Sequence, residues 1–295
     1  MANLDYKALS VLDAVVETGS FDKAALHLGI SQSAVSQRIK ALEDACGRLL
    51  IVRGLPSVPT GLGQRLVTHF RHVKLMEQAL DIDLGRPAVY PAVAVAVDAD
   101  SLSTWFGQAL PPLLSPPRAR LDLQLADTAQ ALALVREGAV FAAVAASDTP
   151  AQGTSVLPLG VLRYLCVATP AFAGHWFGDG MQAEAIRLAP GVDGPQGLLA
   201  QFLAREYGLR ADLPLHVLPL PESLDGAIAR GSAYGLVAEM VAFPAIEAGQ
   251  LVDLTPGRWV DVALSWHAWN IDTPFTRSLS EQVLDTAARY LRPIT

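Results

Sequence analysis

Short hydrogen-bonding side chains cluster on one face of a helical pattern that begins after Ser31. Apolar residues at Ala34, Val35, Ile39 and Leu42 recur at helical spacing, so they predict the buried side of a helix. Gln, Ser and basic side chains on the opposite face can hydrogen-bond to base edges in the major groove of DNA and to its phosphates. We therefore predict DNA contacts from the polar residues of this helix, which are Gln32, Ser33, Ser36, Gln37, Arg38 and Lys40.

A second helix is predicted immediately upstream, and the two together have the pattern of a helix-turn-helix. Gly29 supplies the backbone freedom that a sharp helix end needs, and Ser31 is a favourable N-cap for the helix that follows. The alternative is an ordinary helical hairpin with a solvated polar face. Because surface helices usually carry Glu and Lys where this one carries Gln and Ser, we favour DNA reading. The apolar face of the upstream helix consists of Phe21, Ala24, Ala25 and Leu28.

Two further elements are predicted beside the helix-turn-helix. Residues 4–18 carry an apolar stripe and should form a first helix, and residues 48–59 should form a short two-stranded wing. Arg53 beside the wing turn could reach a phosphate or the minor groove. A salt bridge from Arg53 to Glu43 or Asp44 is an equally weighted alternative. We include Arg53 among the predicted DNA-binding residues.

A long helix is predicted from a cap at Thr60 to about Leu84. Every third or fourth residue along it is apolar except His69, which predicts a seam for a partner helix. The alternative is packing against the chain's own first domain. A helix that ends in Gly85-Arg86-Pro87 favours the first interpretation, a linker that pairs between subunits. The predicted dimerisation residues are Leu62, Leu66, His69, Val73, Met76 and Leu80.

From residue 88 onward short apolar strands alternate with helices, which predicts an α/β fold with mostly parallel strands. Ligands in such folds bind at the carboxyl ends of the strands. The predicted strands cover residues 93–98, 121–127, 139–146, 164–169, 215–219, 234–239 and 259–269. The predicted helices cover residues 101–114, 128–137, 196–207, 222–230 and 275–291.

Composition indicates a globular chain of two or three domains, with 295 residues, 51% hydrophobic and 17% charged. Its apolar runs are far shorter than a membrane span, and MANLDYKAL lacks the basic-then-apolar pattern of a signal peptide. We therefore expect a cytoplasmic protein that does not enter the membrane. The net charge is −7, yet residues 1–86 hold ten Lys and Arg against nine Asp and Glu. Phosphate contacts should be few per subunit, so useful DNA affinity should require dimerisation.

The helix-turn-helix region resembles the N-terminal signature of LysR-type transcriptional regulators. The resemblance is carried by Ala24-Ala25, by SQSAVSQRIKALE at 31–43, by Gly47, Leu50 and Arg53, and by Pro59-Thr60 and Gly63. Within that family, the chain is similar to the ArgP (IciA)/LysG branch. That similarity lies in LLIVR at 49–53, DADSLSTW at 98–105, GVLRYLCVATPAF at 160–172, LVDLTPG at 251–257 and SWH at 265–267.

The resemblance implies three parts. These are a winged helix-turn-helix domain at 1–59, a linker and dimerisation helix at 60–87, and a two-lobed effector domain at 88–295 that resembles periplasmic binding proteins. Lobe I would cover about 88–163 and 268–295, and lobe II about 164–267. The implied partners are double-stranded operator DNA, a second subunit or a tetramer, RNA polymerase, and a small effector, with lysine or arginine favoured. A gene for a basic-amino-acid exporter would be a plausible target.

Polar residues at several strand ends could hold such an effector. The segment that starts at Asp98 is a strand end followed by a helix start, whose backbone N–H groups favour an anion such as a ligand carboxylate. Asp127, Asp148 and Asp193 follow other strands and could hold a cation, with helix capping as the alternative for each. Thr128 stands where the branch often has an acid, which leaves the effector's identity open. The predicted effector-binding residues are Asp98, Ser101, Ser103, Thr104, Asp127, Thr128, Ser147 and Asp193.

Nothing in the chain has the spacing of a known catalytic or cofactor motif. G-x-S-x-G, G-x-G-x-x-G, the Walker P-loop, H-E-x-x-H and C-x-x-C are all missing. His69 and His72 form an H-x-x-H without a third ligand nearby in sequence, which is a weak metal signal. We therefore expect no enzyme, no cofactor and no metal. The alternative is a small-molecule-binding or metabolic protein that uses its N-terminal helices only for oligomerisation.

Overall fold

The computed structural model describes residues 4–84, 92–115 and 120–294. Its first part is a three-helix domain with helices α1 (Tyr6–Thr18), α2 (Phe21–Leu28) and α3 (Gln32–Cys46). Asp5, Ser20 and Ser31 cap the helix N-termini through side-chain oxygens. The predicted helix-turn-helix is confirmed, and the first helix begins two residues later than expected. The domain's most deeply buried side chains are Leu9, Leu12, Val15, Ala24, Val35 and Ile39.

The wing is a two-stranded antiparallel ribbon, β1 (Ile51–Val52) and β2 (Val58–Pro59), which confirms the predicted wing. Helix α4 (Gly61–Asp83) follows it directly, and the Thr60 hydroxyl accepts a hydrogen bond from the Gly63 N–H at 3.1 Å. A side chain at Gly63 would place its Cβ only 2.0 Å from the Leu50 carbonyl oxygen, so only glycine lets the helix start this close to the wing. Gly85, Arg86 and Pro87, and the domain boundary expected at 87/88, lie outside the described residues.

The predicted seam of α4 divides into two halves, and this corrects part of the expectation. Leu62 and Leu66 pack against the core of the N-terminal domain of the same chain. Met76 and Leu80 are 47% and 56% exposed. Packing within the chain therefore describes the first half of the helix, because α1 already covers that side. The exposed second half is the part left for a partner.

The residues described beyond position 91 form nine strands. They are β3 (Ala92–Val97), β4 (Arg120–Leu125), β5 (Ala142–Ala145), β6 (Thr154–Ala168), β7 (Gly191–Asp193), β8 (Leu215–Val217), β9 (Tyr234–Ala238), β10 (Val252–Asp253) and β11 (Val260–Trp269). The order across the sheet is β4-β3-β5-β11-β6-β9-β7-β8, and β10 pairs with β6. Strand β11 pairs antiparallel with β6 over its whole length, from Trp269 opposite Thr154 to Val260 opposite Tyr164.

The expectation of mostly parallel strands is wrong. Parallel pairing joins β3 to β4 and β5, and β7 to β8 and β9, while every pairing of β6 and β11 is antiparallel. The two lobes thus each have a parallel outer sheet, and the two long strands connect them. The lobe boundaries expected at 163/164 and 267/268 fall inside β6 and β11, which run through both lobes.

Helices cover both faces of this sheet. They are α5 (Ala99–Ser103), α6 (Leu110–Leu114), α7 (Thr128–Arg136), α8 (Pro170–Trp176), α9 (Ala183–Ile186), α10 (Leu198–Tyr207), α11 (Pro221–Ala229), α12 (Glu239–Glu247) and α13 (Pro274–Tyr290). The helix predicted at 101–114 is broken into α5, a 3₁₀ turn and α6, where prolines occupy the first turn. Sequence reasoning did not identify β10, α8, α9, α12 or the first half of β6, and it identified β7 only as a strand end before Asp193. Across the described ranges, no helix is both long enough and apolar enough to cross a membrane.

Candidate functional site

Helix α3 presents the predicted reading face to solvent. Val35, Ile39 and Leu42 are buried in the domain core, which fixes the rotation of the helix. Ser36 is partly buried and accepts a hydrogen bond from the Gln32 amide at 3.3 Å. The remaining predicted DNA-binding residues of this helix are exposed, and they are Gln32, Ser33, Gln37, Arg38 and Lys40.

Arg53 lies at the edge of the same surface. Its guanidinium carbon is 5.0 Å from the centroid of the Phe21 ring. Of the two alternative partners, Glu43 uses Oε1 to accept the N–H groups of Leu50 and Ile51, at 2.8 and 3.3 Å. No ion pair among the described residues involves Arg53, so the structure favours the alternative in which its charge is available to a DNA phosphate.

The two histidines of the H-x-x-H are engaged separately. The Tyr6 hydroxyl and His69 Nε2 are 3.0 Å apart, and that ring also faces Tyr6 at 6.0 Å between centroids. The His72 ring instead meets the Trp269 ring edge-on at 4.4 Å. The two side chains therefore serve different contacts of α4, one with the first domain and one with the effector domain.

A cavity of about 650 Å³ lies between the two lobes. The ends of β3 and β4 and the first turns of α5, α7, α10 and α11 contribute to its lining. This is the edge of the sheet at which ligands of α/β folds bind. The predicted effector-binding residues that line it are Asp98, Ser103, Thr104, Asp127, Thr128 and Asp193.

Two predicted effector-binding residues do not line the cavity. Ser101 is fully buried behind the first turn of α5, because its position in that short helix points inward. Ser147 lies beyond β5, where its hydroxyl accepts the Thr149 N–H at 3.3 Å and its carbonyl oxygen is 2.8 Å from His267 Nε2. Both predictions are corrected, since neither side chain faces the space that a ligand would occupy.

Asp127 and Asp193 act as helix caps. Asp127 accepts the Gln130 N–H at 2.8 Å in a reciprocal capping box. Asp193 is almost fully buried and accepts the N–H groups of Gly194, Leu199 and Ala200 at 2.9, 3.0 and 2.9 Å. Of the two interpretations left open for these acids, capping is the one that the structure shows, and it accounts for much of their hydrogen-bonding capacity.

The start of α5 is acidic, which argues against the expectation that it receives a ligand carboxylate. Asp98 already caps this helix by accepting the Ser101 N–H at 2.9 Å. Thr104 directs its hydroxyl to the Asp100 carbonyl oxygen at 2.5 Å, so its proton is not directed at a ligand. A ligand carboxylate placed here would be a third acid and would be repelled by Asp98 and Asp100.

Sequence reasoning missed an acidic pair, Asp100 and Asp225, that faces the cavity from α5 and α11. These two helices pack against each other across the lobes. The Tyr164 hydroxyl donates to Asp100 Oδ2 at 2.9 Å. Burial raises the pKa of Asp100, the Tyr164 hydrogen bond opposes this shift, and the nearby charges of Asp98 and Glu222 add to it.

The pKa of Asp225 is raised for similar reasons. Burial, followed by the charges of Asp100 and Glu222, raises the pKa of Asp225 to about 6. Two half-buried carboxylates thus share one end of the cavity, with no cationic side chain among its described lining residues. Asp225 gave no signal in the sequence, because it lies within a helix and follows no strand. Asp100 was visible there, but its segment was interpreted as an anion site.

Three comparisons place the chain among known proteins. Residues 6–64 match the family model of the bacterial regulatory helix-turn-helix proteins of the lysR family. The regulator ArgP of Aeromonas salmonicida is 37% identical, with 99% of this chain and 100% of that protein covered. The crystal structure of ArgP from Mycobacterium tuberculosis superposes with a TM-score of 0.88 at 32% identity, over 99% of this chain and all of that one. Full-length LysG from Corynebacterium glutamicum, with its effector arginine bound, superposes with a TM-score of 0.82 at 33% identity, over 98% of this chain and all of that one.

Proposed function

The chain belongs to the ArgP/LysG branch of the LysR family of transcriptional regulators, and from that membership we propose that a basic amino acid in the interlobe cavity controls its binding to operator DNA. Arginine and lysine are the effectors that we favour, since the related LysG carries bound arginine. Family membership speaks against the alternative of a metabolic protein that uses its N-terminal helices only for oligomerisation.

The observation that carries the effector proposal is the pair of carboxylates Asp100 and Asp225. Each comes from a different lobe, and each is partly removed from water. A ligand cation between them would relieve their mutual repulsion and join α5 to α11. A neutral or acidic ligand would leave both charges uncompensated in a desolvated site, which is unfavourable.

The polarity of the cavity suggests how an amino acid would be oriented. The side-chain cation would lie at the acidic end, beside Asp100 and Asp225. The start of α7 has one acid, its cap Asp127, whereas the start of α5 has both Asp98 and Asp100. The α-carboxylate would therefore lie at α7, where Thr128 and Ala129 line the cavity and the first N–H groups of the helix favour a negative charge.

The DNA-binding half of the proposal rests on the exposed polar face of α3. Gln32, Ser33 and Gln37 would read base edges, while Arg38 and Lys40 would contact phosphates. Arg53 of the wing would add a further phosphate or minor-groove contact. Because this surface carries little net positive charge, a dimer is needed to double its contacts, and the operator should then be pseudo-palindromic.

The exposed half of α4 is the proposed dimer contact. His69 and Val73 begin this strip, and the apolar side chains of Met76, Leu80 and Leu84 continue it with 47%, 56% and 56% of their surface exposed. Apolar residues at this spacing on a free helix face suit antiparallel or parallel pairing with a second copy.

Titration calorimetry on the full chain tests the effector proposal. We expect heat with arginine and with lysine, and none at matched concentrations of norleucine or glutamate. Norleucine is the decisive control, because it has the length and apolar part of lysine without the cation. Equal affinity for lysine and norleucine would show that the acidic pair does not select the ligand. Tight binding of glutamate would contradict the proposal outright.

A further inference from the structure

The linker helix α4 contacts the effector domain at the turn that follows α7. The Glu137 carbonyl oxygen accepts hydrogen bonds from the Thr68 hydroxyl, at 2.5 Å, and from the Gln64 amide. Leu75, about two turns beyond Thr68 along α4, is buried within the effector-domain core. We call the contact of Gln64 and Thr68 with Glu137 the latch.

A second contact adjoins the latch and is apolar. The His72 ring lies edge-on against Trp269, and its Nε2 is buried with no hydrogen-bond partner among the described residues. Burial, helped by the nearby His69, lowers the pKa of His72 to about 4, so the ring is neutral at pH 7. Trp269 in turn donates its indole N–H to the Val135 carbonyl oxygen at 2.8 Å, which ties the end of α7 to the same place.

Gly138 makes the approach of the two domains close. It follows α7 with a φ of +65°, and a Cβ at this position would lie 2.4 Å from Thr68 Cγ2 and 2.6 Å from its hydroxyl oxygen. Any larger residue would therefore strike the latch. A groove of about 410 Å³ runs beside the contact, lined partly by the charged residues Arg71, Lys74 and Arg120. The interface is thus small and partly open, which suits a contact that can be made and broken.

Helix α7 connects this contact to the effector cavity. Its N-cap Asp127 and first residue Thr128 line the cavity, and its last carbonyls reach Trp269 and the latch. Ala131 and Val135 bury one side of α7 against the sheet, so the helix is packed there as one continuous element. Nine helical residues span about 13 Å. One rigid element therefore ends in the ligand site and at the linker helix.

We propose that α7 transmits effector occupancy to the DNA-binding half by making or breaking the latch. A ligand at the start of α7 favours one position of the helix, and the Glu137 carbonyl at the other end then meets or leaves Thr68 and Gln64. The angle between α4 and the effector domain changes with it, and so does the spacing of the two reading helices in a dimer. The ligand part of this inference rests on the proposed function, whereas the latch does not. Coupling of this kind typically changes affinity about 5- to 150-fold, in both directions.

Amide hydrogen exchange on the full chain tests the proposal with three variants. Gly138→Ala adds a methyl group that strikes Thr68, and Thr68→Val removes the donor while keeping the shape of the side chain. Gly208→Ala is the matched control, because Gly208 also ends a helix at a φ of +69° but has open space around it. The strain of a positive φ is common to both glycine variants, and only the first disturbs the latch.

Without ligand, we expect amides around residues 64–72 to exchange about fivefold faster in Gly138→Ala and Thr68→Val, and unchanged in Gly208→Ala. Adding arginine to the wild type should change exchange at the cavity and along α4. In the two latch variants, arginine should change amide exchange at the cavity but no longer along α4.

Each other outcome has a distinct meaning. The transmission proposal is wrong if arginine changes amide exchange at the cavity but not along α4 in the wild type. It is also wrong if arginine still changes exchange along α4 in both latch variants. If arginine changes amide exchange at no position, arginine is not the effector. The comparison of the ligand-free variants with the ligand-free wild type still tests the latch. If amides around residues 64–72 exchange at the wild-type rate in both ligand-free latch variants, that result alone overturns the inference.

Discussion

Replacing Asp225 by Asn should stabilise the ligand-free protein and weaken its response to arginine. The pKa of Asp225 is raised from 3.8 to about 6, so its ionised form is disfavoured in the folded state. Two units correspond to ~3 kcal/mol for a buried group, and solvent screening at this half-buried carboxylate reduces the cost to ~1–2 kcal/mol. Asn keeps the shape and removes the charge. The variant should therefore gain ~1–2 kcal/mol at pH 7.5, provided that the unfolded state is unaffected.

The gain should depend on pH in a defined window. Well below pH 3.8 the carboxyl group is protonated in both the folded and the unfolded state, so the variant and the wild type should have the same stability. Between pH 4 and 6 only the unfolded state releases the proton, and the difference grows. Above pH 6 it stays constant. The affinity of the wild type for arginine should fall as the pH drops below 6, because a protonated Asp225 no longer attracts the ligand's cation.

Arginine should stabilise the wild type more than it stabilises Asp225→Asn. At a hundredfold excess over its Kd, arginine stabilises the wild type by ~2.7 kcal/mol. Loss of one carboxylate from a desolvated charge pair costs ~2 kcal/mol or more, which is about 30-fold in affinity. The same arginine concentration would then stabilise Asp225→Asn by only ~0.9 kcal/mol.

Chemical denaturation with and without arginine, at several pH values, measures both effects. Asp285→Asn is the matched control, because it removes an exposed carboxylate of α13 that is not part of the cavity lining. It should behave as the wild type throughout. A less stable Asp225→Asn at pH 7.5, or an undiminished arginine response, would refute the reasoning about the acidic pair.

Three further predictions concern DNA binding and assembly. Ser33→Ala and Gln37→Ala should each lower the preference for operator over random DNA by ~1–3 kcal/mol in competition binding and leave non-specific affinity nearly intact. An unchanged preference in both variants would show that this face of α3 does not read the bases. Arg53→Ala should weaken operator and random DNA alike and make binding less dependent on salt, which a salt titration shows. Met76→Glu should place a charge in the proposed dimer contact and give smaller species in sedimentation, whereas an oligomer of wild-type size would rule out that part of α4 as the contact.

Local signals in the sequence were sufficient to predict the DNA-binding domain. Ser31 capping α3, Gly29 ending α2 and the apolar spacing of α3 are all interactions within a few residues. The wing and the start of α4 at Thr60 follow from similar signals. A family resemblance then supplied the order of the domains.

Features that depend on distant parts of the chain were not predictable in the same way. The antiparallel centre of the sheet depends on pairing β6 with β11, about a hundred residues apart, and no local pattern reveals this register. Leu62 and Leu66 fit a heptad equally well whether α1 or a partner covers them. Asp225 becomes a site residue only because α11 folds against α5. For the same reason the acidic end of the cavity was placed at Asp127 and Asp193, which the structure shows as caps.

The most direct test of the whole account is the effect of arginine on operator binding by the full chain. The operator would first be selected from a random duplex library, and its footprint would then be measured with and without arginine for the wild type and for Asp225→Asn. We expect a selected sequence with two related halves. The footprint should change with arginine and with lysine but not with norleucine, and it should not change in the variant at the same concentration. Selection of no sequence, or a footprint that is identical with and without either basic amino acid, would contradict the central claim.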